Sequence, residues 1–235
     1  RLAPFRNGTS LPPGHGVGLD ERAVEYPWLM TRLREGPAHT LDAGSTLNHA
    51  FLLDHPRLLE RRLVICTLAP EGTLVARAQV SYVFGDLRDT ILRDDTFDEI
   101  VSISTLDHVG LDNTQLFTRD GRYREASPRD YRQAVAEFRR MLKPGGRAWI
   151  TVPYGAATVL SWQQQFDAAG VADMVEAFGG GLREETYFRY EPSGWQRVEA
   201  SACRACAYHD FTTQPPAADG AAAARAVVCL ELEKM

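Results

Sequence analysis

The sequence predicts an α/β domain built on a doubly wound, mostly parallel sheet. Three observations lead there. Short apolar runs alternate with amphipathic stretches from residue 39 onward. One run, Phe97 to Thr105, is apolar enough to be a central strand covered on both faces. Small or acidic residues follow directly after the runs, where open parallel sheets hold their ligands. With 235 residues, 44% of them hydrophobic and 24% charged, the chain can bury a core of ordinary size.

Residues 1–19 are rich in Gly and Pro (Leu11-Pro12-Pro13-Gly14-His15-Gly16) and read as an irregular arm. Asp20 to Leu33 reads as a short helix interrupted at Pro27. This unit, residues 1–38, either pads the sheet edge or closes over a ligand, and padding is the expected role. The domain proper runs over 39–235. His39 to Gly44 is a short strand ending in a Gly turn, followed by helix to about Leu59. Leu63 to Leu68 and Val80 to Asp86 are the second and third strands, and Phe97 to Thr105 holds a fourth, apolar enough to be central. Ser127-Pro128 reads as a helix start, with Ser127 capping and Pro128 at the first position, and the helix runs to about Leu142. After Lys143-Pro144-Gly145-Gly146 comes a fifth strand, Arg147 to Pro153. Residues 163–178 read as helix, Glu184 to Tyr190 as strand, and Ala224 to Glu233 as the last strand, an edge hairpin partner. The run Ala221 to Ala224 reads as a flexible loop.

The strand ends carry the candidate chemistry. After the first strand, Asp42 can accept from an ammonium group or orient the loop amides, and Gly44 lets backbone approach a ligand. After the third, the Asp86 carboxylate can accept from an exocyclic amine while Leu87 packs on a purine. After the fourth come Ser104-Thr105-Leu106-Asp107-His108. Each feature alone is common in α/β proteins; their order and spacing are what carry weight.

Leu41-Asp42-Ala43-Gly44-Ser45, Gly85-Asp86-Leu87, Phe97 to Ser102 with Leu106-Asp107-His108-Val109, and Leu142-Lys143-Pro144-Gly145-Gly146 resemble the successive motifs of class I S-adenosylmethionine-dependent methyltransferases. The resemblance covers roughly residues 39–155, and the Leu-Lys-Pro-Gly-Gly turn is its most specific part. It implies a seven-stranded Rossmann-like sheet with an antiparallel last strand, and S-adenosyl-L-methionine as cofactor. By the same resemblance Asp42, Gly44 and Ser45 hold the methionine part, Asp86 and Leu87 the adenine, and Ser104, Thr105 and Leu106 line the sulfonium side. Two departures stand out. Thr46 and Asn48 replace the second and third glycines of the first loop. Thr67 or Leu68 stands where an acid usually grips the ribose, with Glu71 or Asn48 as candidate substitutes. Thr67 to Gly72, Ile103 to Gly110 and Trp162 to Asp167 further resemble a bacterial subgroup associated with glycan or secondary-metabolite biosynthesis.

Methyl transfer to a hydroxyl benefits from a general base, and His108 is the best placed of the six histidines. Its alternative is a helix-start histidine packed beneath the cofactor. Asp107 caps the next turn or orients His108. Asp112, Asn113, Tyr154, Gln165, Asp167 and Tyr187 are candidate acceptor contacts, drawn from 107–127 and 154–220. Trp162 and Phe166 either stack on a sugar or aromatic face or pack in the core. Tyr187, Arg189, Tyr190 and Trp195 form an acceptor wall or an edge-strand cluster.

Net charge of −5 and no basic stripe argue against a nucleic-acid substrate. No apolar run reaches the roughly 18 residues of a membrane span. The four cysteines do not form a disulfide framework, which fits a cytoplasmic protein. Cys203, Cys206 and His209 lack a second ligand pair at zinc spacing, so no metal is expected. A third reading, a nicotinamide dehydrogenase, needs a Gly-x-Gly-x-x-Gly turn and an acid about 20 residues on, and residues 42–49 supply neither. The expected activity is methyl transfer to a hydroxyl, or an amine, of a small polar acceptor such as a saccharide, glycoside or secondary metabolite. The alternative is a catalytically silent binding protein of the same fold. A homodimer is left open.

Overall fold

The computed structural model of the chain describes residues 2–72, 74–221 and 223–235. Ala222, in the run read as a flexible loop, lies outside them.

The sheet begins with β1 (His39–Ala43), β2 (Arg62–Thr67), β3 (Val80–Phe84), β4 (Phe97–Ile103) and β5 (Leu142–Pro153). All four pairings among these strands are parallel. A small ribbon of β6 (Thr158–Val159) and β7 (Gln164–Gln165) follows, then β8 (Leu182–Glu191), β9 (Gly194–Val198) and β10 (Ala226–Glu233). The main sheet is ordered β3-β2-β1-β4-β5-β10-β8-β9, with antiparallel pairing from β10 onward. The fold class is the one the sequence implies, with an eighth strand where Gly194–Val198 folds back on β8. β10 is not an edge strand. It lies between β5 and β8, and its first seven residues are buried. Strand order reverses between β1 and β4, which places the ligand crevice at their carboxyl ends.

Successive strand residues face opposite layers. Leu41, Ile100, Ala148 and Ile150 pack on α6 (Tyr131–Met141) and α7 (Ala168–Phe178) through Val135, Phe138 and Met174. Leu63, Ile65, Ile103 and Trp149 pack on the opposite side against Trp28 and Leu29. Arg61 and Glu99 form a buried ion pair, in which Arg61 also donates to the Thr40 hydroxyl and Glu99 also accepts from the Trp149 indole.

Several elements depart from the sequence expectation for visible reasons. The arm contains a short helix, α1 (Ala3–Asn7), seated by Phe5 on Phe188. Pro27 does not interrupt α2 (Arg22–Arg32). A proline there deprives the Ala23 carbonyl of its helical donor, and His15 Nε2 donates to that oxygen instead at 2.9 Å. The stretch after β1 is two single turns, α3 (Ala50–Leu53) and α4 (Pro56–Leu59), separated by the break before Pro56. Ser127 does not cap α6, which starts at Tyr131 after a turn through Pro128 and Arg129. The helix expected from 163 starts at Ala168, where Asp167 accepts from the Gly170 amide. Between these elements lie α5 (Thr114–Phe117) and, near the end, α8 (Ala200–Cys203). α8 carries Cys203 at its end, and Cys206 lies beyond it.

Candidate functional site

The loop after β1 is held from within. Asp42 is fully buried and accepts from the amides of Thr46 (3.2 Å) and Leu47 (2.8 Å) and from the Thr46 hydroxyl. The Asp42 carboxylate is therefore spent on orienting the loop. Burial outweighs these hydrogen bonds and pushes its pKa up to about 7. Gly44, at φ +121°, sits against the end of β4: a Cβ there would lie 2.1 Å from Thr105 Oγ1. The close approach is thus to Thr105. Ser45 follows at φ +63°, its hydroxyl oxygen buried without a hydrogen-bond partner. Ser104, at the end of β4, also adopts a left-handed conformation, φ +39°. Such strain in non-glycine residues concentrates at ligand sites.

The raised Asp42 pKa has a consequence for stability. Between about pH 4, the unfolded value, and about 7 the folded chain holds a proton that the unfolded chain has released. This contribution is complete below the unfolded value and is lost as pH rises through about 7. Asp42→Asn should therefore flatten the fall in melting temperature between about pH 5 and pH 8, measured by thermal melts across that range.

At the neighbouring strand ends, Thr67 is half-buried and Leu68 exposed. Asn48 donates to Glu71 Oε2 at 3.1 Å and accepts from the Val75 amide and the Tyr82 hydroxyl. It ties the segment after β2 to the first loop and brings the Glu71 carboxylate beside it. Asp86 is engaged by Arg88 through both carboxylate oxygens and the Arg88 amide, and Arg88 reaches on to Glu125 and Asp130. Leu87 is buried beside it.

A pocket of about 290 Å³ opens beyond β4 and β5. Ser104, Asp107 and His108 form its floor, Asp20, Glu21 and Arg22 one wall, and Trp162, Tyr208 and Phe211 the other. The His108 ring stacks on Trp162 at 5.4 Å, and its Nδ1 lies 3.0 Å from the Trp162 carbonyl. A carbonyl only accepts, so Nδ1 carries a hydrogen and Nε2 is the basic nitrogen of the neutral ring. Nε2 lies 3.4 Å from Asp107 Oδ2. Asp107 is buried, which raises its pKa, while His108 opposes that rise. Asp107 Oδ2 is thus placed to stabilise a proton taken up at Nε2.

Helix α2 contributes a second buried acid. Glu25 accepts from Ser104 Oγ at 2.7 Å and Thr151 Oγ1 at 2.6 Å and pairs with Arg22. Tyr26 donates to the Thr46 carbonyl. The 1–38 unit therefore does more than pad an edge: it anchors the strand ends and walls the pocket. Glu21, Glu25 and Trp28 recur at helical spacing with Trp28 in the core. That spacing was the available signal that two acids share the buried face.

The other sequence candidates lie apart from this pocket. Asp112 accepts from the Thr114 amide and hydroxyl, and Asn113 donates to the His108 and Leu111 carbonyls. Tyr154 and Tyr187 are buried edge to face on each other at 4.9 Å. Gln165 donates to the carbonyls of Ala156 and Cys206. Phe166 is core, against Tyr131. Tyr190 and Trp195 bond the arm at Gly18 and Leu19. All four cysteines are free. Among the described residues no three His, Cys, Asp or Glu side chains gather as metal ligands would, and no helix is long and apolar enough to cross a membrane.

Residues 43–150 match a family described as a methyltransferase domain. Among proteins of curated function, none matches this sequence. Solved structures share the fold. An S-adenosylmethionine-dependent methyltransferase from Mesorhizobium loti is 12% identical with a TM-score of 0.54, the match covering 89% of this chain and 97% of that one. The Burkholderia thailandensis 1,6-didemethyltoxoflavin-N1-methyltransferase, bound to 1,6-didemethyltoxoflavin and S-adenosylhomocysteine, is 15% identical with a TM-score of 0.51, covering 85% and 72%. At these identities the likeness is one of fold. Residues 43–150 thus resemble a methyltransferase domain by sequence, and the chain shares its fold with methyltransferases of solved structure.

Proposed function

We propose that this chain transfers a methyl group from S-adenosylmethionine to a hydroxyl or amine of a small polar acceptor held in the pocket beyond β4 and β5. The observation that carries the reading is that Ser104, a strand-end residue of the crevice, is also part of the pocket floor with His108. Cofactor and acceptor would meet across that residue. The cofactor is S-adenosylmethionine, and the residues present suit it at the methionine end, where Ser45 offers a buried hydroxyl without a partner. Ser45 and the amides of its loop would hold the methionine part, Glu71 the ribose hydroxyls, and Leu87 one adenine face. The cofactor supplies an electrophilic methyl at a sulfonium; the chain supplies position and a base. His108 Nε2 would take the acceptor's proton, with Nδ1 fixed on the Trp162 carbonyl and Asp107 settling the charge that results.

The acceptor class read from the sequence, a saccharide, glycoside or secondary metabolite, belongs to this proposal, as do a biosynthetic role and a cytoplasmic site of action. The free cysteines support that compartment. The Burkholderia enzyme is named for methylation at a nitrogen, so amines stand beside hydroxyls. Sedimentation decides between a monomer and the homodimer left open by the sequence.

One observation favours the silent alternative: Asp86 is already saturated by Arg88. Calorimetry with S-adenosylhomocysteine separates the two. A catalytic protein binds it, with a rise in melting temperature that grows with ligand concentration. Absence of both responses would leave the silent reading.

A further inference from the structure

The pocket walls carry polar atoms that nothing in the fold satisfies. Asp107 Oδ1 and Glu21 Oε2 are buried acceptors without a hydrogen-bond partner, and Trp162 Nε1 is a buried donor without one. All three residues line the same pocket, and Asp107 is 1% exposed. Buried groups left this way are costly unless a ligand completes them. The charge in the pocket is also one-sided. Asp20, Glu21 and Asp107 face it, while its one arginine, Arg22, is already paired with the buried Glu25. Burial raises the Glu21 pKa to about 7 and that of Asp107 above the usual carboxylate range, as expected of acids without a full counter-ion. The remaining wall is aromatic: Trp162 stacks on His108 and meets Phe211 edge-on at 5.2 Å. A cation between carboxylates and indole faces gains from both.

We infer that the methyl acceptor is a small arylalkyl amine bound as its ammonium ion, held by Glu21 and Asp107 against Trp162 and Phe211, with a further polar group accepting from Trp162 Nε1. The inference rests on the methyltransferase reading and narrows it from hydroxyls and sugars to amines. A volume of about 290 Å³ suits a single-ring ligand. The chemistry balances with the residues in place. The ammonium gives one proton to His108 Nε2, and the freed nitrogen lone pair forms the new N–C bond. The S–C bond breaks with its electron pair passing to sulfur, and the positive charge ends on the methylated ammonium.

The test uses the full chain saturated with S-adenosylhomocysteine and three probes in titration calorimetry: tyramine, its uncharged alcohol counterpart tyrosol, and methyl α-D-glucopyranoside. Tyramine is expected to bind at least about tenfold more tightly than tyrosol. Glu21→Gln should remove most of that advantage, with S-adenosylhomocysteine binding by the variant showing that it is folded. Tyrosol or the glucoside binding as tightly as tyramine would overturn the inference. So would tyramine failing to bind the loaded protein, or Glu21→Gln leaving its affinity unchanged. A chain that does not bind S-adenosylhomocysteine fails earlier, at the methyltransferase reading itself.

Discussion

His108→Ala should lower turnover by about 10²–10⁴-fold, the range a positioned general base supplies, while S-adenosylhomocysteine binding is retained. The separation follows from placement. His108 belongs to the pocket floor, and its ring contacts are Trp162 and Asp107, not the loop after β1. Asp107→Asn makes the same point with the ring left in place. The new amide can donate to Nε2 and occupy the lone pair that should take the proton, so turnover should fall although His108 still stacks on Trp162. The pH–rate profile distinguishes this role from a packing role: the limb rising with imidazole deprotonation should vanish in His108→Ala. Turnover near that of the parent chain, or an unchanged profile, would remove His108 from the chemistry.

Gly44→Ala should be the most damaging single change in the crevice. A Cβ at this position would lie 2.1 Å from Thr105 Oγ1 and 2.4 Å from Thr105 Cγ2, at a φ of +121° that side chains rarely adopt. Overlap and strain together should cost about 3–5 kcal/mol, enough to melt or displace the loop and weaken S-adenosylhomocysteine binding with it. The two causes can be separated. Thr105→Ala in the Gly44→Ala background removes Oγ1 and Cγ2, so the double variant should regain the overlap part and keep about 1–3 kcal/mol of backbone strain. Denaturant unfolding of the four proteins in this cycle measures it. A single variant as stable as the parent would mean that β1 and β4 are not so closely apposed.

The sheet was legible because its strands are rich in buried apolar residues and its candidate site residues sit at strand ends; Leu41 to Ser45 and Phe97 to Thr105 show both features. The Lys143 to Gly146 turn was legible for a steric reason. A Cβ on Gly146 would lie 2.9 Å from the Lys143 carbonyl and 3.1 Å from that of Asp98. Less legible was whatever depends on pairing distant segments. Pro27 reads as a helix breaker until His15, in the arm, is seen to satisfy the carbonyl it frees. β10 reads as an edge because strand order is not written in local pattern. Asp42 and Asp86 were legible as strand-end acids, but their partners, the Thr46 and Leu47 amides and Arg88, were not. The pocket shows the same limit. His108 and Asp107 followed from their place after β4, whereas Glu21, Tyr208 and Phe211 reach it from both ends of the chain.

The cofactor is expected across the ends of β1, β2 and β4 with its reactive side toward His108. A crystal structure of the chain with S-adenosylhomocysteine tests it most directly. The methionine part is expected at Ser45, the ribose within reach of Glu71, and the sulfur at Ser104 to Leu106, facing the pocket. S-adenosylhomocysteine bound elsewhere, or with its sulfur turned away from that pocket, would contradict it.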